Sequence, residues 1–352
     1  MLISDFDFEL PDELIAQQPL TERDASKMLI LNRTSGVWHD TIFTALPEHL
    51  NAGDTLVLNN TRVFPARLTG IKETTGANIE MFLVERLREH GANVWRVLAR
   101  PARRLPKGTR VSFGNGRIRA EVVEADTEGE RLVRFETDEP FAKVIEEIGQ
   151  TPLPPYIKRT TEQATADRAR YQTIYARDAP DGGAIAAPTA GLHFTSQILE
   201  SLKACGVNVV EITLHVGYGT FAPVRVEDLR EHKVAAERFT VDETAADIIN
   251  QTRAEGRRIV AVGTTTARAL ESATNPNGDI IPTLEGKADL TITPGYKFKI
   301  IDALVTNFHL PRSSLLVLVA SFAGRDAILA AYRHAVAAHY RFYSYGDCML
   351  II

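Results

Sequence analysis

The chain is predicted to be an α/β protein, with a mainly parallel sheet covered by helices on both faces and an inserted small antiparallel β-barrel domain. Three observations carry that prediction. After position 171, apolar runs alternate with amphipathic stretches of helical period, the pattern of βαβ units. From 62 to about 150, short runs of alternating polar and apolar residues crowd together, the pattern of antiparallel hairpins. With 352 residues, 44% of them hydrophobic and 24% charged, the chain has apolar material for two cores. The expected division is a discontinuous α/β domain at 1–61 and 151–352, with the barrel domain at 62–150 between its parts.

The elements follow in order. Residues 1–61 hold a short amphipathic segment, LPDELIAQQ, and two strand-like runs, KMLILN and DTLVLNN, expected to join the main sheet. The insertion offers NIEMFLVERL, NVWRVLA, TRVSFG, RIRAEVVEA and RLVRFET, separated by Gly, Asn and Lys-Gly turns, and ends in a helix-like FAKVIEEIGQ. TPLPPYIKR, rich in proline, reads as a linker. Apolar GAIAA then leads to a helix, TSQILESLKACG, with Thr195 or Ser196 at its N-cap and Gly206 as its stop. NVVEITLHV is a strand, 242–255 a helix ended by Gly256, and RRIVAV a strand that enters the helix ARALESA. ADLTIT, SSLLVLVASFAG, RDAILAAYRHAVAAHY and FYSYGDCMLII continue the style, with no internal repeat or low-complexity segment.

Several classes are disfavoured. A formal net charge of −5 confines any nucleic-acid site to a local patch. The two cysteines, Cys205 and Cys348, lie far apart and outside any Cys/His cluster, so neither a disulfide framework nor a metal site is expected. The acidic start, MLISDFDFELPDEL, is unlike a signal peptide. The longest apolar run, around 315–320, falls short of the roughly 20 residues a membrane helix needs. A cytoplasmic protein without membrane contact is the expectation.

In an open α/β sheet, ligands lie at the carboxyl ends of strands, where helix N-termini present free N–H groups. Four junctions meet that description. In APTAGLHF (187–194), Pro188 and Gly191 shape a turn, Thr189 supplies a hydroxyl, and His193 stands just before a helix. Taken alone, a turn with a packing histidine is the plainer reading. In LHVGYGTFAP (214–223), Gly217 and Gly219 allow close backbone approach, and Tyr218 and Phe221 are suited to a flat ligand. The third glycine of a dinucleotide fingerprint is missing there, and His215 ends an apolar strand, where a structural role is the default. Gly263-Thr264-Thr265-Thr266 opens a helix with more hydroxyls than capping needs, an anion cradle. In DALVTNFHLPRS, Asp302, Asn307, His309 and Arg312 cluster before another helix start, although each also fits ordinary loop chemistry. Charge adds a fifth feature: 96–119 carries eight basic residues and no acid, while 121–139 carries eight acids and two arginines. Cross-strand pairing and a phosphate-contacting turn in RPARRLPKGTR explain this equally well.

The junctions become specific through their order. FELPDELIAQQP, LNNTRVFPARL, PLPPYI, YQTIYA, AAPTAGLHFT, TLHVGYGTFAPV, VGTTTARALESA, TPGYKFKIIDALVTNFHLPRSSLLVLVASFAG and YRFYSYGDCMLI together closely resemble the S-adenosylmethionine:tRNA ribosyltransferase-isomerase family of queuosine biosynthesis. The resemblance covers essentially the whole chain, and APTAGLHF, TLHVGxGTF and DALVTNFHLP are its most specific blocks. It implies an α/β domain with an inserted barrel. It also implies transfer of the ribosyl part of S-adenosylmethionine to 7-aminomethyl-7-deazaguanine at the wobble position of a tRNA, with isomerisation to epoxyqueuosine and loss of adenine and methionine. S-adenosylmethionine is then a co-substrate, with no permanently bound cofactor and no metal. The tRNA is the partner, and the chain is taken as a monomer. One block departs from the family: members commonly carry His-x-Met-His-Ser-Glu where this chain has His232-Lys233-Val234-Ala235-Ala236-Glu237. We read the two replaced side chains as inessential.

The implied chemistry needs a base for the C5′ hydrogen made acidic by the sulfonium, a proton for departing adenine, and a neutral attacking amine. His193, His215, Glu237 and His309 are the catalytic candidates, and spacing does not single out the base. Thr189, Gly191, Gly217, Tyr218, Gly219, Phe221, Gly263, Thr264, Thr265, Asp302 and Asn307 are the substrate-binding candidates. In particular, the 263–266 turn is suited to the methionine carboxylate, and Tyr218 and Phe221 to adenine or the sulfonium. Arg100, Arg103, Arg104, Lys107, Arg110, Lys158 and Arg159 are the expected tRNA contacts. Two rivals are an S-adenosylmethionine-dependent RNA methyltransferase, whose glycine-rich loop DTLVLNNTR lacks, and a non-enzymatic RNA-binding barrel, which leaves the α/β part unexplained.

Overall fold

The structure is a computed structural model that describes residues 1–352 apart from 127–129, 160–163, 179–182 and 218–223. Its elements run β1 (Lys27–Leu31), β2 (Trp38–Ile42), β3 (Thr55–Asn59), β4 (Arg67–Lys72), β5 (Asn78–Arg86), β6 (Val94–Arg100), β7 (Arg110–Phe113), β8 (Ile118–Ala125) and β9 (Glu130–Glu136). Helices α1 (Phe141–Ile148), α2 (Ala164–Arg170) and α3 (Ser196–Ala204) follow, then β10 (Asn208–Leu214), β11 (Glu237–Val241), α4 (Glu243–Ala254) and β12 (Ile259–Val262). The chain closes with α5 (Thr264–Ala273), β13 (Thr283–Ala288), β14 (Ala303–Asn307), α6 (Ser314–Ala323), α7 (Arg325–Ala337) and β15 (Cys348–Ile351).

Among the described residues the main sheet has the order β13-β11-β10-β3-β12-β14-β15-β1-β2. Its centre, β10-β3-β12-β14, is parallel, as the βαβ texture predicts. Antiparallel pairs close it on both sides: β10·β11 and β11·β13 at one edge, β14·β15 and β1·β2 towards the other. The central strands are apolar throughout because both faces are covered. Met28, Ile30, Leu56, Leu58, Val260 and Val262 point to a core under α3 and a 3-10 helix at Phe43–His49. Leu29, Leu31, Val57, Ile259 and Ala261 point to the opposite core, under α4 to α7. Each fully buried Leu, Ile or Val contributes roughly 1.5–3 kcal/mol. The helix starts follow the sequence: Thr195 Oγ1 accepts from Ile198 N–H (3.3 Å) and Asp242 from Ala245 N–H (2.8 Å). α6 and α7 meet at 116° across Gly324, whose φ of +88° disfavours any other residue, and no single described helix is long and apolar enough to cross a bilayer.

Strands β4-β5-β6-β9-β8-β7 close a barrel inserted between β3 and β10. Alternation turns Ile79, Met81, Leu83, Val97, Val111 and Val133 inward, and α1 packs Val144 and Ile145 into the same core. Bulges after Leu83 and Val122 add the curvature that closure requires. Sequence analysis missed β4 because Gly70 interrupts its alternation. A Cβ there would lie 2.5 Å from the Phe113 ring, so the glycine makes room for the aromatic of β7.

Three sequence readings need correction at this level. LPDELIAQQ forms only one 3-10 turn, Asp12–Leu14. ADLTIT gives β13 only its first residue, Ala288, and the remainder is irregular. The edge strand β2 and the next-to-edge strand β11 are absent from the sequence reading, because a strand with one solvated face carries a weak apolar signal.

Candidate active site

The strand order changes direction beside β3. The chain leaving β3 returns through the barrel to β10 on one side, and β12 follows on the other. Ala190, in the 3-10 turn Thr189–His193, and Phe194, just after it, pack on one face of the sheet, whereas α5 packs on the opposite face. The two separate at the carboxyl ends of β3, β12 and β14, the switch point where α/β sheets hold ligands. A cleft opens there, lined by Pro188, Thr189 and Ala190, by Val216, by Gly263, Thr264 and Thr265, by Thr306 to His309, and by Leu315, Tyr343 and Ser344. All four junctions therefore reach one place, the second among its described residues through Val216 alone.

Each wall has a local cause. Gly263 precedes α5 with φ +91° and supplies no side-chain cap, so the first N–H groups of α5 lack intrahelical acceptors and face the cleft at the positive end of the dipole. Thr266 turns back, donating to Val262 O (2.6 Å), which leaves Thr264 and Thr265 to the cleft. Asn307 is clamped: its Nδ2 donates to Tyr343 O (2.9 Å), which aims Oδ1 at His193 Nε2 (3.2 Å). That network assigns the imidazole: Nε2–H donates to Asn307, and Nδ1 accepts from the Ser26 hydroxyl (2.9 Å). Burial, above all, pushes the His193 pKa down to about 4, so the ring is neutral. His193 thus stands behind Asn307, with both ring nitrogens occupied. His309 lines the cleft itself, its Nε2 2.9 Å from Thr306 Oγ1, and burial pushes its pKa down to about 3.

The remaining candidates are placed elsewhere. Gly191 packs under Thr173 and Tyr175, where a Cβ would collide, and not against the cleft. His215 is one residue from Val216 and faces the other way, into a polar groove with Asn60 and Asp242, its Nδ1 3.0 Å from Thr61 Oγ1. Desolvation, with Arg238 second, pushes its pKa down to about 4. Glu237 is a buried clamp: one oxygen accepts from Gly217 N–H (2.8 Å), the other from Arg268 (2.6 Å), and neither residue of the ion pair is more than 4% exposed. Arg268, on α5, went unnoticed in the sequence as one cation in a helix. Asp302 lies at the opposite end of β14, accepting from Ile259 N–H (2.9 Å) at the start of β12, about 16 Å of strand away from Asn307. Tyr218, Gly219 and Phe221 lie outside the described residues.

Tyr343 and Ser344 are the lining residues that sequence reasoning missed. Tyr343 holds φ +76°, unfavourable for an aromatic residue. Its N–H donates to Phe308 O (3.0 Å), and its ring meets Tyr156 of the proline-rich linker edge-on at 3.9 Å. The block FYSYGD was the available signal.

The basic stretch divides in two. Arg96 pairs with Glu85 across β5 and β6, and Arg117 and Arg119 pair with Glu139 and Glu73 beside neighbouring elements. Arg100, Arg103, Arg104, Lys107 and Arg110 are exposed on the connection from β6 to β7, and none has an ion pair among the described residues. Lys158 is exposed, whereas Arg159 is held by Asp167 (2.5 Å), its side chain only 12% exposed.

Comparison with known proteins places this site in a family. The family model described as queuosine biosynthesis protein matches residues 3–351. Proteins from Desulfitobacterium hafniense and Pelotomaculum thermopropionicum, both named S-adenosylmethionine:tRNA ribosyltransferase-isomerase, are 51% and 49% identical over all of this chain and all of theirs. A crystal structure of S-adenosylmethionine tRNA ribosyltransferase from Thermotoga maritima is 38% identical, covers 99% of this chain and 100% of its own, and superposes with a TM-score of 0.55. Full-length identity near one half, carried by the chain whose separated junctions meet in one cleft, means that this chain belongs to the queuosine biosynthesis protein family.

Proposed function

We propose that this enzyme transfers and isomerises the ribosyl moiety of S-adenosylmethionine onto 7-aminomethyl-7-deazaguanine at the tRNA wobble position, releasing adenine and methionine and leaving epoxyqueuosine. The observation that carries the reading is the meeting of the α5 amides at Thr264 and Thr265 with Asn307 and His309 in one cleft, in a chain about half identical to enzymes named for that reaction. The helix amides suit the methionine carboxylate. The cleft side chains named above are all neutral, which avoids a tight, unproductive pairing with the sulfonium and lets aromatic Tyr343 face it. We assign the base to His309 because it lines the cleft beside the α5 N-terminus and burial keeps it neutral, and a carboxylate arriving at α5 would raise its proton affinity. The proton it takes from C5′ is then available to the adenine leaving group. His193 positions Asn307, and Glu237 with Arg268 fixes the end of β10 beside the cleft. The turn from Arg100 to Arg110, whose cations have no ion pair among the described residues, is the expected track for tRNA phosphates, and the cytoplasm is the compartment this substrate implies.

The test is incubation with S-adenosylmethionine and tRNA bearing the aminomethyl base, followed by nucleoside digestion and mass analysis. Epoxyqueuosine with free adenine and methionine is the expected result. Its absence overturns the reading, and S-adenosylhomocysteine in its place would indicate methyl transfer.

A further inference from the structure

A second recess lies behind the 189–193 turn, on the other side of His193 from the cleft, and shares Ser344 with it. Arg23 and Arg170 line it. Arg23 donates to Leu192 O and Ala169 O (both 3.2 Å), Arg170 donates to Leu20 O (2.5 Å), and nearby Arg341 donates to Gln18 O. All these acceptors are neutral carbonyls. Among the described residues, none of the three guanidiniums has a carboxylate within ion-pairing distance, and Arg341 Nη1 is buried without a partner. The neighbouring acids are occupied: Asp167 by Arg159 and the Tyr345 hydroxyl, Asp347 by the N–H groups of Lys27 and Arg341, and Asp24 by the Thr195 hydroxyl. Glu22, at the rim, is exposed. Burial first, and the charge of Arg170 second, lower the pKa of Arg23. Like charges gathered in a half-buried recess are unfavourable until an anion joins them.

We infer that the recess between Arg23 and Arg170 binds a phosphodiester of the tRNA backbone that flanks the nucleotide inserted in the cleft. The inference rests on the function proposed above, in that it takes tRNA as the substrate. Two planar guanidinium forks match the non-bridging oxygens of a phosphodiester. Each fork keeps donors beyond those its carbonyls use. The other anion of the reaction, the methionine carboxylate, already has the α5 amides. The position fits as well, because a base in the cleft holds its own backbone beside the cleft wall, and the recess lies behind that wall.

The experiment measures binding, without turnover. Arg170→Gln and Arg23→Gln are compared with Arg170→Lys and with Arg253→Gln, a control at a surface pair with Asp279. Affinity for unmodified tRNA is followed by anisotropy over a range of salt, and affinity for S-adenosylmethionine by calorimetry. Each glutamine variant is expected to lose tRNA affinity roughly tenfold and to flatten the log–log salt slope by about one. Arg170→Lys, which keeps the charge but not the fork, should keep the salt slope and fall between wild type and Arg170→Gln in affinity, while S-adenosylmethionine binding and the Arg253→Gln control stay unchanged. Unchanged tRNA affinity and slope in Arg170→Gln overturn the inference, and this arm stands even if Arg23→Gln fails to fold. Loss of S-adenosylmethionine binding with tRNA binding intact also overturns it, assigning the recess to the carboxylate. If the wild type binds tRNA but makes no epoxyqueuosine, the proposed reaction fails while the phosphate site remains testable.

Discussion

Asn307 is the residue on which the site turns, because its amide is held from both sides. Tyr343 O takes its N–H and His193 supplies a donor to its oxygen, so the cleft meets an amide of fixed orientation. If His193 acts through Asn307, the two should couple. Replacing either by alanine should lower kcat/KM for adenine release about ten- to a hundredfold, and the double variant should be little worse than the poorer single one, a coupling of about 1 kcal/mol or more. Additive losses would show instead that His193 acts on its own. His193→Gln, which keeps a donor, should recover part of the activity.

At the scale of elements, the buried Glu237–Arg268 pair ties β11 to α5 and, through Gly217 N–H, to the end of β10. Arg268 also donates to Ala288 O (2.7 Å) on β13, so one guanidinium joins three elements. Removing one partner strands the other charge in the core. Arg268→Met should therefore cost about 3–5 kcal/mol of stability in urea unfolding, and pairing it with Glu237→Gln should recover part of that loss. A loss under 1 kcal/mol would mean that water reaches the pair. The barrel offers the complementary test. Reversing the charge of Arg103 and Arg104, on the turn after β6, should weaken tRNA binding and flatten its salt dependence, and an unchanged slope would remove that turn from the interface.

At the scale of the whole molecule, burial makes the fold acid-sensitive. His193, His215 and His309 have folded pKa values near 4, 4 and 3, against about 6.5 in an unfolded chain. Between those limits the unfolded state binds more protons, so stability falls as pH drops from about 6.5 towards 4. For the fully buried His193 the contribution is on the order of 3 kcal/mol. The unfolding midpoint should fall steeply over that window, and His193→Gln should flatten the fall. A flat profile in the wild type would contradict the burial of these rings.

How much of this was legible follows from the same chemistry. Gly263, Thr264, Thr265, Asn307 and His309 could be read because each ends a strand or opens a helix, and strand ends in a parallel sheet share one edge. Asp302 and Asn307 looked like one cluster, yet they cap the two ends of β14, and only recognition of that strand separates them. His215 and Val216 are neighbours whose side chains diverge, so a single step of register decided which one meets the cleft. The sequence by itself determined the layers, the inserted barrel and the strand–helix junctions after β12 and β14, because periodicity and turn chemistry are local. Only the tertiary structure decided that Tyr343 and Ser344 join the site, that His193 supports Asn307, and that Glu237 pairs with Arg268. Those relations depend on segments far apart in the chain being packed together, and no local pattern encodes them.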